Sequence, residues 1–152
     1  MPTATDTSTL NSLLRGEMSA IETYRQAIDK LGDSKLGADE LHALLRDHRD
    51  AADSLWHHIE KHGGQPSEGS GVWGTFAQAV EGTAKLFGNT AALKALKEGE
   101  EHGLKEYEDA LKDTDLAPDC QALARDLVSR QREHVGSLDR LMERASAASS
   151  AA

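Results

Sequence analysis

The chain has 152 residues, enough for one domain with a substantial core, and its formal net charge of −9 makes nucleic acid and anionic membranes poor partners. Its 3 prolines and 4% aromatic residues favour helices over strands, and its single cysteine excludes an internal disulfide and fits a reducing cytoplasm. Neither a signal peptide nor a membrane span is expected, since the sequence has no basic start before an apolar stretch and no sufficiently long apolar run.

Apolar residues that recur at steps of three and four predict four long helices and hence an all-α bundle. The first helix runs to about Leu31, and the second stops at Gly63 and Gly64, before the loop "GGQPSEGSG". The third ends at "KDTDLAPD", and Pro118 suits the first position of the fourth. The short first and third connections predict two antiparallel hairpins, whereas the long second connection predicts that the second and third helices run parallel.

The long connection contains a shorter amphipathic segment, which predicts a short helix packed on the bundle or on a partner subunit. Its apolar face carries Trp73, Phe76, Val80 and Phe87. Trp56 and Trp73 are interpreted as packing anchors, and a homodimer surface is the alternative. A single domain is predicted over residues 9–145, with a flexible start at 1–8 and a disordered tail at 146–152.

The chain contains two pairs of similar sequence stretches. "GEMSAIETY" at 16–24 and "GEEHGLKEY" at 99–107 differ by a constant offset of 83 (100 − 17), and "DHRDAADSL" and "EHVGSLDRL" align His48 with His134 at an offset of 86 (134 − 48). The repeat covers a whole helical hairpin. It predicts that the two hairpins are related by a pseudo-twofold axis, with Glu17 and Glu100 facing each other near that axis.

The helix seams, which should be apolar, contain Glu17, His48, Glu100 and His134, one on each helix. An isolated buried carboxylate costs several kcal/mol, so it must be paired, protonated or bound to a metal. Carboxylates and imidazoles at one level of a bundle are suitable ligands for Fe, Mn or Zn, with metal ions as the expected partners. The alternative is a metal-free network of histidine–carboxylate pairs that fixes the register of the helices.

Five further residues are candidates to support these four. Tyr24 and Tyr107 lie two turns beyond their glutamates, too far to bind the same ion, and are expected to close one end of a polar cavity. Asp47 and Glu133 point about 100° away from the adjacent histidines, so they either support them or face solvent. The full supporting set is Gln131, Tyr24, Tyr107, Asp47 and Glu133.

The stretches "LLRGEMSAIETYRQAI", "HIEKHGGQP", "GVWGTFAQAVEGTAKLFG" and "LKEGEEHGLKEYEDAL" resemble a bacterial ferritin-like family known as a domain of unknown function. The resemblance covers nearly the whole chain apart from its tails. It implies a four-helix bundle with a long crossover, and its relatives typically hold two metal ions and use them on O₂, peroxide or iron. The di-iron pattern needs Glu-x-x-His on two helices, but Leu45 and Gln131 occupy the Glu positions here. The sequence therefore predicts one or two bound ions without deciding between these numbers.

His58 and His62 are four residues apart, a spacing that can bind Zn or Ni on a helix face. The favoured interpretation is a solvated helix end, where cations interact well with the helix dipole. The sequence contains no Gly-rich phosphate loop, no Cys-x-x-Cys and no nucleophile with a base at a recognisable spacing. It therefore predicts no metal-independent catalysis, and it leaves open whether the protein is an enzyme.

Overall fold

The computed structural model describes residues 4–31, 37–69 and 89–151, and these residues form four helices and no strand. Helix α1 spans Ala4–Leu31, α2 spans Ala38–Lys61, α3 spans Asn89–Leu111 and α4 spans Pro118–Ala151. The all-α prediction is confirmed, and so is the start of the last helix at Pro118. The predicted short helix around Trp73 lies outside the described residues.

Both outer helices are longer than the sequence predicts. Helix α1 already includes residues 4–8, and α4 continues through 146–151. The added turn of α4 is rich in alanine, which has the highest intrinsic helix propensity. The domain boundaries remain a prediction. Within the described residues, no helix has the combination of length and apolar character that crossing a membrane requires.

The helices form a four-cornered bundle in the ring order α1, α2, α4, α3. Along each neighbouring pair, cross-helix contacts progress in opposite directions, so all four neighbouring pairs are antiparallel. It follows that α2 and α3 run parallel at opposite corners. This confirms the two antiparallel hairpins joined by a long crossover.

The first described part of the crossover folds back along α1. Asn11 donates to the carbonyl oxygen of Gln65 at 3.0 Å and accepts from the amide of Ser67 at 2.8 Å. Arg15 Nη1 then donates to the Ser67 hydroxyl at 3.0 Å. The chain therefore leaves α2 in the direction of the end of the bundle where α3 begins.

Two glycines in the left-handed conformation bound α2, and both are positions that disfavour a side chain. Gly37, with φ of 85°, precedes the helix, and Gly63, with φ of 78°, follows it. The amide of Gly63 donates to Glu60 O at 3.0 Å and that of Gly64 to Ile59 O at 2.9 Å. These bonds satisfy carbonyl groups of the last turn, so the predicted stop at the glycine pair is confirmed.

Gly37→Ala is expected to lower the free energy of unfolding by about 2–4 kcal/mol, because a left-handed alanine costs roughly 1–2 kcal/mol and overpacking adds about 1–3. A Cβ at Gly37 would lie 2.7 Å from Leu141 Cδ2, whereas at Gly63 it would meet nothing within 4 Å. Gly63→Ala is the matched control. Its free energy of unfolding should fall by only roughly 1–2 kcal/mol, the cost of the left-handed backbone conformation for alanine. Urea unfolding measures both variants, and equal losses would contradict the close packing at Gly37.

The core consists of two apolar clusters on either side of a buried polar layer. The Leu55 cluster comprises Leu10, Leu13, Leu14, Ala51, Leu55, Ile59, Tyr107, Ala110, Leu116, Cys120, Leu127 and Val128. The Leu138 cluster comprises Tyr24, Ala27, Leu41, Leu44, Leu45, Leu93, Leu96, Leu138 and Leu141. The polar layer comprises Glu17, His48, Glu100, Gln131 and His134. On each helix, polar-layer residues lie between members of the two clusters, so the layer crosses the middle of the core.

Candidate metal centre

Each helix contributes one ligand-type side chain to the polar layer. The exposed fraction is 4% for Glu17, 1% for His48, 3% for Glu100 and 4% for His134. Their positions within the apolar periodicity of the four helices account for this burial. The structure thus buries all four residues that the sequence selects. Ligand atoms of His48, Glu100 and His134 lie within 4.8 Å of one another, whereas Glu17 contacts His48 but is not part of this group.

His48 lies between the two buried carboxylates. Its Nδ1 is 2.5 Å from Glu17 Oε2 and its Nε2 is 2.6 Å from Glu100 Oε1. Glu17 and Glu100 therefore face each other across the imidazole ring rather than directly. Burial lowers the pKa of His48, but the charges of Glu100 and Glu17 and their hydrogen bonds outweigh burial and raise this pKa well above its usual value. With both carboxylates ionised, His48 is an imidazolium that donates to each of them.

The two tyrosines hold the carboxylates from opposite sides. Tyr24 donates its hydroxyl proton to Glu100 Oε1, and Tyr107 donates to Glu17 Oε1, each at 2.6 Å. Because α1 and α3 are antiparallel, a tyrosine two turns along one helix comes level with the glutamate of the other. The sequence predicts both tyrosines at one end of a cavity, whereas the structure has one in each apolar cluster. Burial and the neighbouring carboxylate raise both tyrosine pKa values, so the hydroxyls remain donors.

His134 has one nitrogen held at the surface and the other directed into the layer. Its Nε2 lies 3.0 Å from Asp47 Oδ2, a pairing that assigns the Nε2 proton to the hydrogen bond with this carboxylate. Its Nδ1 is 3.4 Å from Glu100 Oε2, outside hydrogen-bond geometry, and has no hydrogen-bond partner among the described residues. Burial lowers the pKa of His134, but Glu100 more than compensates and raises it. A carboxylate that orients a histidine in this way is typical of metal-binding histidines.

Gln131 departs from the twofold pattern that the sequence predicts for the layer. Its amide donates to Glu100 Oε2 at 2.5 Å and to Glu100 O at 3.0 Å. The corresponding position before His48 is Leu45, which packs in the Leu138 cluster. The carboxylates that bridge a pair of ions in the di-iron pattern are therefore replaced by an amide donor and an apolar side chain. This donor set fits one ion and not a bridged pair.

Gly103 makes room for Gln131, because a Cβ there would lie 2.7 Å from Gln131 Nε2. Alanine is normally favoured over glycine in a helix by about 1 kcal/mol. We nevertheless expect Gly103→Ala to destabilise the protein by about 1–2 kcal/mol in urea unfolding, because the amide must leave Glu100. Gly136→Ala is the control, since its Cβ would meet only the end of Arg140 at 3.4 Å, and it should be neutral or stabilising. A gain in both variants would contradict a firmly held Gln131.

A cavity of about 40 Å³ reaches the polar layer between α1 and α3. Small residues from both helices and several of the buried ligand-type side chains are among the residues that line it. The lining includes Gly16, Ala20, Gly99, Gly103, Glu17, His48, Glu100 and Gln131. A water molecule needs roughly 10–15 Å³ of such volume, so the cavity can admit an ion or a few waters.

Asp47 and Glu133, which adjoin the two histidines in sequence, have different environments. Asp47 accepts from His134 of the neighbouring helix, whereas Glu133 is exposed and makes no contact with the polar layer among the described residues. The spacing along one helix could not predict the Asp47 contact, because it depends on the register of α2 against α4. In the sequence, an acidic residue directly precedes each of the two histidines. This pattern is the same for Asp47 and Glu133, so it could not distinguish the residue that contacts the layer from the one that does not.

The sequence matches the family described as a domain of unknown function (DUF2383) over residues 6–113. No curated protein matches. A crystal structure described as ferritin like, diiron-carboxylate proteins from Bacillus anthracis str. Ames is similar, with a TM-score of 0.73 and 19% identity over 90% of this chain and 94% of that chain. At this identity the likeness shows the fold alone. The chain therefore has the ferritin-like four-helix fold and belongs to the DUF2383 family.

Proposed function

We propose that the bundle binds one divalent transition-metal ion, Fe, Mn or Zn, in its polar layer through Glu17, His48, Glu100 and His134. The observation that carries the proposal is the buried Nδ1 of His134, which Asp47 orients and which has no hydrogen-bond partner among the described residues. Ligand atoms of His48, Glu100 and His134 lie within 4.8 Å of one another. Imidazole nitrogen and carboxylate oxygen are ligands that these ions accept.

The surrounding residues would keep the ligands in place. The Tyr24 and Tyr107 hydroxyls and the Gln131 amide each bond a carboxylate, which limits rotation of Glu17 and Glu100. The apolar clusters exclude water above and below the layer, and the cavity between α1 and α3 leaves one side open to small solutes. Fe or Mn would supply redox chemistry, and Zn would act as a Lewis acid.

The similar Bacillus anthracis structure is described as a diiron-carboxylate protein. We propose one ion for this chain because Leu45 and Gln131 occupy the positions where bridging carboxylates are needed. With a redox-active ion, the protein would serve in redox chemistry or metal handling in the cytoplasm, the role that its ferritin-like resemblance implies.

A second candidate is a metal-free scaffold or interaction module. It is favoured by His48, whose two ring nitrogens bond one carboxylate each at 2.5 and 2.6 Å. An imidazolium in this position neutralises part of the buried charge without an ion. The polar layer would then serve to fix the register of the helices, as buried polar groups do in some bundles.

Metal content separates the two candidates. The protein is produced without a polyhistidine tag, with Fe or Mn supplied during expression, and its content of these two metals is measured by elemental mass spectrometry. We expect about one equivalent of ion in the polar layer, since the donor set fits a single ion. An Fe or Mn content far below one equivalent, with no uptake when the purified protein is titrated with Mn²⁺, would support the metal-free scaffold.

Asp47→Asn is expected to weaken metal binding by roughly 10–100-fold, the usual effect of losing a carboxylate that orients a ligating histidine. Glu133→Gln is the matched control, because Glu133 also adjoins a seam histidine but is exposed and away from the layer. Isothermal titration with Mn²⁺ measures both affinities. Equal affinities of Asp47→Asn and the parent would remove Asp47 from the site.

A further inference from the structure

A second group of ligand-type side chains lies where the last turn of α2 meets the first turn of α4. It comprises His58 from α2, His62 directly after α2, and Asp119 and Cys120 from α4. His62 is 14 residues beyond His48 (62 − 48), which corresponds to about 21 Å along the helix. The group is thus separate from the polar layer and independent of its function.

Three possible ligand atoms converge on one nitrogen of His62. Its Nε2 lies 2.9 Å from Asp119 Oδ2, 3.2 Å from Asp119 Oδ1 and 3.4 Å from Cys120 Sγ. A single N–H cannot point at all of these atoms with good geometry. Ligand atoms of His62, Asp119 and Cys120 all lie within 4.8 Å of one another, as the ligands of a bound ion would.

His58 places a second imidazole nitrogen near Asp119. Its Nδ1 is 3.0 Å from the carbonyl oxygen of Ser54, which can only accept, so Nδ1 carries a proton. In the neutral ring, Nε2 then has a lone pair, and it lies 3.9 Å from Asp119 Oδ2. A bound cation could therefore contact both of these acceptor atoms. Lys61 contacts Asp119 at 3.0 Å, but its side chain is 65% exposed, and exposed ion pairs contribute little to stability.

We propose that His62, Asp119 and Cys120, with His58 as the fourth ligand, form a zinc site. Thiolate, imidazole and carboxylate are ligands of tetrahedral zinc, and the sulfur favours zinc over hard ions such as Mg²⁺ or Mn²⁺. When the ion binds, the Cys120 thiol releases its proton to solvent, and the proton on His62 Nε2 also leaves, so that the neutral ring is protonated on Nδ1. Cys120 is 0% exposed, while His58 and Asp119 leave the outer side accessible. The ion would join the end of α2 to the start of α4.

Cobalt titration of the full-length, reduced protein tests this proposal. Cys120 is the sole cysteine of the chain, so a thiolate-to-cobalt charge-transfer band reports this site and not the sulfur-free polar layer. We expect a band that rises to a plateau as Co²⁺ is added in excess and disappears when excess Zn²⁺ is added. His62→Gln should weaken cobalt binding roughly tenfold or more, by analogy with losses at other metal sites. His57→Gln, an exposed histidine on the same turn, should have no effect.

Cys120→Ser should abolish the band. If this buried substitution prevents folding, the partly exposed His58→Gln and His62→Gln variants decide the matter. The absence of a thiolate band with cobalt in several-fold excess would overturn the proposal, as would a band unaffected by both histidine variants. Neither result depends on whether the polar layer binds a metal, since Mn²⁺ uptake by that layer is measured separately.

Discussion

His48→Leu is expected to lower the free energy of unfolding of the metal-free protein by about 3–5 kcal/mol, the usual loss when one partner of a buried ion pair is removed. His48 donates to both Glu17 and Glu100, so the change leaves two buried carboxylates without their shared cation. The tyrosine hydroxyls remain, but neutral donors compensate only part of the charge. Urea denaturation at neutral pH, with metal removed by a chelator, measures the loss.

His42→Leu is the control for this change, because His42 is exposed on the same helix and its replacement should stay within about 0.5 kcal/mol. Adding Glu17→Gln to His48→Leu should recover part of the stability, since it removes one of the unpaired charges. A loss below about 1 kcal/mol in the single variant would mean that the carboxylates are not charged in the metal-free layer.

Glu17→Gln and Glu100→Gln are expected to weaken Mn²⁺ binding to the polar layer by at least the roughly 10–100-fold that supporting residues of metal sites produce. The amide keeps the size of the side chain but is neutral, and hard divalent ions prefer carboxylates. Mn²⁺ is the chosen probe because the sulfur-containing cluster at Cys120 binds it poorly. Calorimetric titration gives the affinities.

Glu98→Gln is the control for these two variants, since Glu98 is exposed on α3 and should not affect Mn²⁺ affinity. If the layer is instead a metal-free network, the parent protein takes up no Mn²⁺, and the variants differ from it only in stability. If Glu17→Gln and Glu100→Gln each bind Mn²⁺ with the affinity of the parent protein, the ion binds elsewhere in the protein.

Sequence periodicity was sufficient to find the four helices and the buried residues Glu17, His48, Glu100 and His134. Burial follows from position on a helix seam, which a single sequence contains. The contacts of Tyr24 with Glu100 and of Asp47 with His134 were not predictable in this way. They depend on the axial position of one helix relative to its neighbour, and this register is determined by the packing of both apolar clusters.

The reciprocal contacts of Tyr24 with Glu100 and of Tyr107 with Glu17 have the form that a twofold repeat would produce. Gln131 departs from this form, since its counterpart at the offset of 86 is Leu45 (131 − 86). Superposition of the two hairpins remains a prediction. At the offset of 83, Gly103 of α3 corresponds to Ala20 of α1 (103 − 83). A glycine is needed at 103 because a Cβ there would collide with the Gln131 amide.

The division of the core into the Leu55 and Leu138 clusters has a consequence for amide hydrogen exchange. Proteins unfold locally in cooperative units. We expect the boundary between two such units where the contacts between them are weakest or most easily hydrated. Water that enters one opened cluster reaches Glu17, His48 and Glu100, whose charges it solvates favourably. Opening one end of the bundle should therefore require less free energy than opening both, and the slowest-exchanging amides should fall into two blocks that exchange at separate rates.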